Sequence, residues 1–314
     1  MTNVRKLTEG AILLAVFTVL LLLTIYVPLL GSFINLFLPV PFILFSAKSD
    51  LKNISVFVVA SFIISFIFGA TIALPITFLY GLLGILMGYL LQKNKSRTMI
   101  LILCSLLFLI NTVILYVVST VFFHFDMINE MFKMFHDSLN TSSTMLKSMG
   151  QQQQGKQLIE QYEKGLVVVK TLIPSLLVLL SFVTVLIVQL LSLPILKRFG
   201  INVGSWRPFR ELSLPKNLIW YLLLSLAASL LLRPPTGTFL YNALANLTCI
   251  LSLFMLFQGL TIIFYFFNQR GIKKSIPITI AVFSLFVPLL LYIIVILGII
   301  DLGFGIKSRL DNKD

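Results

Sequence analysis

The chain has 314 residues, of which 58% are hydrophobic and only 11% charged, and its mean hydropathy is +1.03. A soluble domain carries roughly 25% charged residues. This composition therefore excludes soluble enzymes, nucleic-acid binders and secreted scaffolds, and it marks a polytopic integral membrane protein. The 24 Lys and Arg against 11 Asp and Glu give a net charge of +13, which here reads as cytoplasmic-loop charge rather than affinity for nucleic acid.

About 20 apolar residues cross a bilayer core. On that ruler the sequence predicts an all-α transmembrane bundle of nine spans: Thr8–Val27, Ser32–Ala47, Asn53–Gly69, Ile72–Leu91, Met99–Phe122, Leu166–Leu196, Leu218–Leu232, Phe239–Phe267 and Ser275–Ile300. The first is a transmembrane helix and not a cleavable signal, since no small-residue cleavage site follows it. The second is short and carries Pro39 and Pro41, so it bends or fails to cross cleanly, which would leave eight. Cys104 and Cys249 both lie inside apolar runs, so neither a disulfide framework nor a cysteine metal site is expected.

Lys and Arg placement orients the bundle. With the N-terminus in the cytoplasm, most positive charge falls inside: Arg5, Lys6, Lys48, Lys52, Lys93, Lys95, Arg97, the basic segment Lys197–Lys216, Arg270, Lys273 and Lys274. Short outer connections are nearly free of it, Arg233 excepted. On nine spans the C-terminal tail (Lys307, Arg309, Lys313) ends outside; one failed crossing moves it back inside.

Two connections are distinctive. In the outer loop, residues 123–165, Phe125, Ile128, Met131, Phe132, Phe135 and Leu139 recur at helical spacing against Asp126, Asn129, Glu130, Lys133 and Asp137. That predicts an amphipathic helix on the interface or capping the bundle. A Ser/Thr-rich turn and the Gln151–Gln154 run follow, giving a mobile middle. The connection at residues 198–216, with Trp206 and Pro208, suits anionic lipid at the inner surface.

Polar residues inside spans are sparse: Asn111, Gln189, Asn242, Asn246 and Gln258, with Thr77 and Tyr80. Asn111, Asn242 and Asn246 are candidates for a ligand pocket; the competing role is interhelical hydrogen bonding. Arg233 closes the seventh span and is a candidate for an anionic ligand, against simple snorkelling to headgroups. No acidic residue lies at a span centre, Glu9 and Asp301 being at edges, which argues against a pump built on a membrane-centre carboxylate. His124, Asp126, Glu130, His136 and Asp137 fit no tight metal spacing, so no metal and no cofactor is expected. No nucleophile elbow, phosphate loop or zinc-protease helix occurs, and no enzymatic activity is expected.

Small residues carry a more specific signal. Thr8, Ala11, Ala15 and Thr18 line one face of the first span; Gly81, Gly84 and Gly88 do the same in the fourth. Such stripes admit close helix packing, within the bundle or onto a second protein.

The stretch Ala11-Ile12-Leu13-Leu14-Ala15 resembles the Ala-x-x-x-Ala motif of substrate-binding (S) components of energy-coupling factor vitamin transporters. The outer loop Pro28–Ser32, Asn35 ahead of a proline-bearing second helix, and the fourth helix from Leu74-Pro75 through Gly81, Gly84 and Gly88 to Lys93 and Lys95 follow the same layout. As a whole the sequence resembles the YybS-like family of integral membrane proteins of Gram-positive bacteria, itself distantly similar to S components. The resemblance implies a six-helix core over residues 1–197, the basic cytoplasmic connection 198–216, and a three-helix extension over 217–314. It also implies a plasma-membrane component that binds a small molecule and docks a membrane coupling protein on Ala11 and Ala15, with ATP hydrolysis supplied by separate subunits. No position-by-position vitamin-binding set can be matched here. The alternative is a membrane scaffold or regulator that transports nothing.

Overall fold

The structure is a computed structural model and describes residues 3–148, 151–206 and 208–307. Arg207, Arg309 and Lys313, which entered the charge count, lie outside the described residues. Eleven α-helices and no strand occur among the described residues: α1 (Asn3–Tyr26), α2 (Pro28–Ile34), α3 (Pro39–Ser46), α4 (Leu51–Gln92), α5 (Arg97–Phe122), α6 (Met127–Ser148), α7 (Gln152–Arg198), α8 (Leu218–Leu232), α9 (Phe239–Gln269), α10 (Ser275–Ser284) and α11 (Pro288–Phe304). Six helical stretches are long and apolar enough to cross a membrane, five of them single helices and the sixth, Leu29–Ser46, running through α2 and α3; the count is seven if α10 and α11 form one span. The chain divides into two compact units, Met1–Met145 with Leu177–Ser205, and Leu146–Leu176 with Trp206–Asp314, so the boundary falls within α7.

In the first unit the short helix α3 is the core. The expected second span is broken into α2, a single 3₁₀ turn at Asn35–Phe37 and α3. Pro28 and Pro39 each open a helix, where a missing N–H costs nothing. Every residue of α3 is buried. Phe42 meets Phe17 and Phe57 edge-on at 5.0 and 5.3 Å, and Phe45 stacks on Phe57 at 4.4 Å; such pairs contribute about 0.5–1.5 kcal/mol each beyond their area. On the other side α3 lies on the glycine stripe of α4. A β-carbon on Gly84 would stand 2.6 Å from the Pro39 carbonyl oxygen, and one on Gly88 would overlap Ser46 Oγ.

α4 joins two expected spans, Asn53–Gly69 and Ile72–Leu91, folded back on each other. Ala70 carries φ 47° and ψ −138°, a helix-breaking conformation next to Gly69. Ser65 and Thr77 share a 2.6 Å hydrogen bond, whereas twelve residues of straight helix would separate them by about 18 Å. The arms are thus a hairpin, and each hydroxyl also bonds its own helix, Ser65 to the Ser61 carbonyl and Thr77 to the Ala73 carbonyl. Lys6 Nζ donates to Asp50 at 2.8 Å, tying the start of α1 to the start of α4. Arg97 donates to the Val203 and Gly204 carbonyls at 2.7 and 2.6 Å, closing the unit at the base of α5.

The Ser/Thr-rich segment expected to be a turn is helix, and only residues 149–151 lie between α6 and α7. The hydroxyls of Thr141, Ser142 and Thr144 bond the carbonyls four residues earlier, so they satisfy themselves within the helix instead of breaking it. The apolar face of α6 is only partly used: Phe132, Leu139 and Ser143 are buried, while Met127, Met131, Met134 and Phe135 are exposed.

In the second unit α8 runs antiparallel to α9. Ser225 meets Thr248 in a 3.2 Å hydrogen bond, and Leu222 packs with Leu251 and Met255. α9 crosses α11 at two glycines with no room for a side chain, Gly259 against the Ile294 backbone and Gly298 against the Met255 backbone. The expected ninth span, Ser275–Ile300, is not one helix: α10 and α11 are bent by 116° across Leu285–Val287, ahead of Pro288. One cavity is lined by Cys249 to Leu256 of α9 and Pro288 to Val295 of α11, so in both helices it lies on the N-terminal side of the Gly259/Gly298 crossing, while beyond that crossing Asp301 bonds Gln258 and Lys307 bonds Thr261. α11 therefore advances in the same direction as α9, and the bent pair returns to the end of α9 from which it started. It is a re-entrant hairpin. The end of α11 stands beside Leu212 in the connection, not on the far side as a ninth crossing would require.

Candidate functional site

Helix α1 packs on one side only. Gly10, Phe17 and Leu21 are buried, and a β-carbon on Gly10 would sit 3.1 Å from the Phe45 ring. Ala11 and Ala15 lie on the opposite side, exposed, flanked by the exposed Ile12, Val16 and Val19. Among the described residues of the first unit, none covers that small-residue notch. The glycines of α4 behave differently, since Gly81, Gly84 and Gly88 are all covered by α3.

The four candidate ligand residues divide between the two units. Asn111, on α5 of the first unit, is 3% exposed, and its Nδ2 has no hydrogen-bond partner among the described residues. The other three belong to the second unit. Asn246 is fully engaged in packing. Its Oδ1 accepts from Ser175 N at 2.9 Å and Ser175 Oγ at 2.6 Å, and its Nδ2 donates to the Thr171 and Asn242 carbonyls at 2.7 Å each. The amide thus bridges a backbone acceptor and donor of α7 across Pro174, whose missing N–H weakens that turn. Asn242 keeps its Oδ1 without a partner.

Arg233 ends α8 in the left-handed conformation, φ 40°, ahead of Pro234 and Pro235. It lines a cavity of about 280 Å³ with Ser229, Tyr241 and Ala245 at the mouth of α8 and α9. Its guanidinium bonds only the Leu230 carbonyl, at 3.4 Å, among the described contacts, leaving donors free for an anionic group. No three His, Cys, Asp or Glu side chains gather to hold a metal among the described residues.

One polar cluster gathers around Asp301, which the sequence shows only at a span edge. Asp301, in the last turn of α11, is 4% exposed and accepts from Gln258 Nε2 at 2.6 Å and Lys307 N at 3.0 Å. Gln258 Oε1 accepts from Leu214 N, and Lys307 Nζ donates to the Leu212 carbonyl at 2.8 Å and to Thr261 Oγ1 at 2.6 Å. Burial pushes the Lys307 ammonium below its ordinary range, against the opposing pull of the Asp301 carboxylate. The one signal available in sequence was spacing: Gln258 and Thr261 are one helical turn apart, and Asp301 and Lys307 flank Gly305.

The family model described as "Predicted membrane protein (DUF2232)" matches residues 15–302. The chain is 29% identical over 310 residues to "Uncharacterized protein YybS" of Bacillus subtilis (strain 168), across 98% of this chain and 99% of that protein. No solved structure matches it. With apolar helices throughout and the family model spanning nearly its whole length, the chain belongs to the DUF2232 family of membrane proteins, as its YybS-like layout implied.

Proposed function

We propose that this protein is a small-molecule-binding membrane component that works with a partner subunit docked on α1. The uncovered Ala11/Ala15 notch carries the reading. In lipid there is no hydrophobic drive to hide such a face, and small residues there serve close backbone approach by another helix. The Arg233 cavity supplies a place for an anionic small molecule, and the N-terminus lies in the cytoplasm by the positive-inside rule. A nucleotide-binding motif is absent from the sequence, so any ATP hydrolysis belongs to separate subunits. The test is co-purification from the native membrane in mild detergent. Replacing Ala11 and Ala15 with Leu abolishes recovery of the partner while the protein remains monodisperse; a complex recovered unchanged would remove the docking role.

A scaffold or regulator without transport is the second reading, and one observation favours it. The polar groups of Asn246, Gln258, Ser65 and Thr77 are consumed in bonds between and within helices, which leaves few to line a pocket. Recovery of a partner other than a coupling protein, sensitive to the same substitutions, selects this reading.

A further inference from the structure

We propose that the oxygen cluster at the end of the re-entrant hairpin is a monovalent-cation site whose resting occupant is the chain's own Lys307 ammonium. This rests on the second unit alone and is independent of docking on α1.

Two separate segments set oxygens on the ammonium, the Leu212 carbonyl from the connection and Thr261 Oγ1 from α9, and α11 brings the Asp301 carboxylate beside them, where it accepts from the Lys307 backbone N–H. All three are held without help from the Lys307 side chain. Thr261 donates its own proton to the Gln258 carbonyl at 2.7 Å, which leaves its lone pairs turned to the ammonium. Asp301 is positioned by Gln258 Nε2 and by the Lys307 backbone N–H. Thr261 and Gln258 are 0% exposed, both donors to the carboxylate are neutral, and the ammonium acts on its charge through space. Removing that cation would leave a buried negative charge beside two unsatisfied oxygens, a costly state unless another cation enters. Carbonyl, hydroxyl and carboxylate oxygens are the donor set of hard cations.

The occupant is tethered rather than built in. Lys307 lies beyond the end of α11, past Gly305, which turns the chain at φ 63°. Its ammonium can withdraw by side-chain rotation without breaking a helix. Immobilising a lysine side chain costs rotamer freedom, and burial disfavours its charge further, so a free cation competes against a weakly held one.

Two measurements on the full chain in nanodiscs test this. In Lys307→Met, sodium or potassium chloride should raise the thermal midpoint saturably relative to choline chloride at equal ionic strength, and the added substitution Asp301→Asn should abolish the response. If Lys307→Met yields no folded protein in choline, recovery of folded protein in sodium or potassium counts as the same result. A flat response, or failure to fold in every salt, overturns the site. In the wild-type chain, acylation of the Lys307 amine should rise several-fold on replacing choline with sodium or potassium. Unchanged labelling overturns the exchange.

Discussion

At the level of single residues, the useful distinction is between polar groups that are satisfied and those that are not. Asn246 and Asn111 look alike in sequence, each a lone amide inside an apolar helix. Asn246 turns out to stitch α9 to α7 through Thr171 and Ser175. Asn111 Nδ2 is buried without a partner. Asn246→Ala should therefore lower stability by about 0.6–2 kcal/mol, the spread of interhelical hydrogen bonds in membranes. Equilibrium unfolding in mixed micelles checks it, and an unchanged midpoint would mean that the bridge carries no net energy. Nothing in the sequence separates the two asparagines, because what satisfies an amide is a residue 71 or 75 positions away. Asp301 makes the same point. Its place at a span edge was legible, and its burial was not.

At the level of elements, proline and glycine punctuation was readable and its consequences were only partly so. Pro39 predicted a bend in the second span, and the outcome is a helix of 8 residues enclosed on all sides. Gly81, Gly84 and Gly88 were readable as a smooth face; that α3 is what lies on it follows from the return of the α4 hairpin. α6 was predicted from its periodicity, and its start has a titratable cap. Asp126 accepts from Asn129 N at 3.0 Å and Asn129 Nδ2 at 2.6 Å, and those bonds hold its carboxyl below the ordinary 3.8. A depressed carboxylate contributes stability that is present above the unfolded value and lost as pH falls through the folded one. Protection of the amides at residues 127–130, relative to their intrinsic exchange rate at each pH, should therefore fall on acidification through that lowered range, and Asp126→Asn should show no such step. Equal acid response in both would place the transition elsewhere.

At the level of the whole molecule, the membrane class and the apolar stretches followed from composition, but the number of crossings did not. A hydropathy ruler measures length and cannot see direction, so the segment 275–300 reads as one span although Pro288 and the 116° bend send it back. This changes the expected side of the end of α11. In a background with Cys104 and Cys249 replaced, Ile306→Cys should react with a membrane-impermeant maleimide from the same side as Lys216→Cys. Labelling from opposite sides would reinstate the ninth crossing.

The sequence by itself determined solvent and element type. Apolar runs of membrane length must satisfy their own backbone groups in lipid, so helices were the only available outcome. It also marked the small-residue faces, because packing space is a local property of side-chain volume. Only the tertiary structure decided which of those faces are used, leaving Ala11 and Ala15 bare while α3 covers the glycines of α4. It likewise decided which polar residues meet, joining Gln258, Thr261, Asp301 and Lys307. Both depend on where distant segments return, and a helix reports its own periodicity without naming its neighbour.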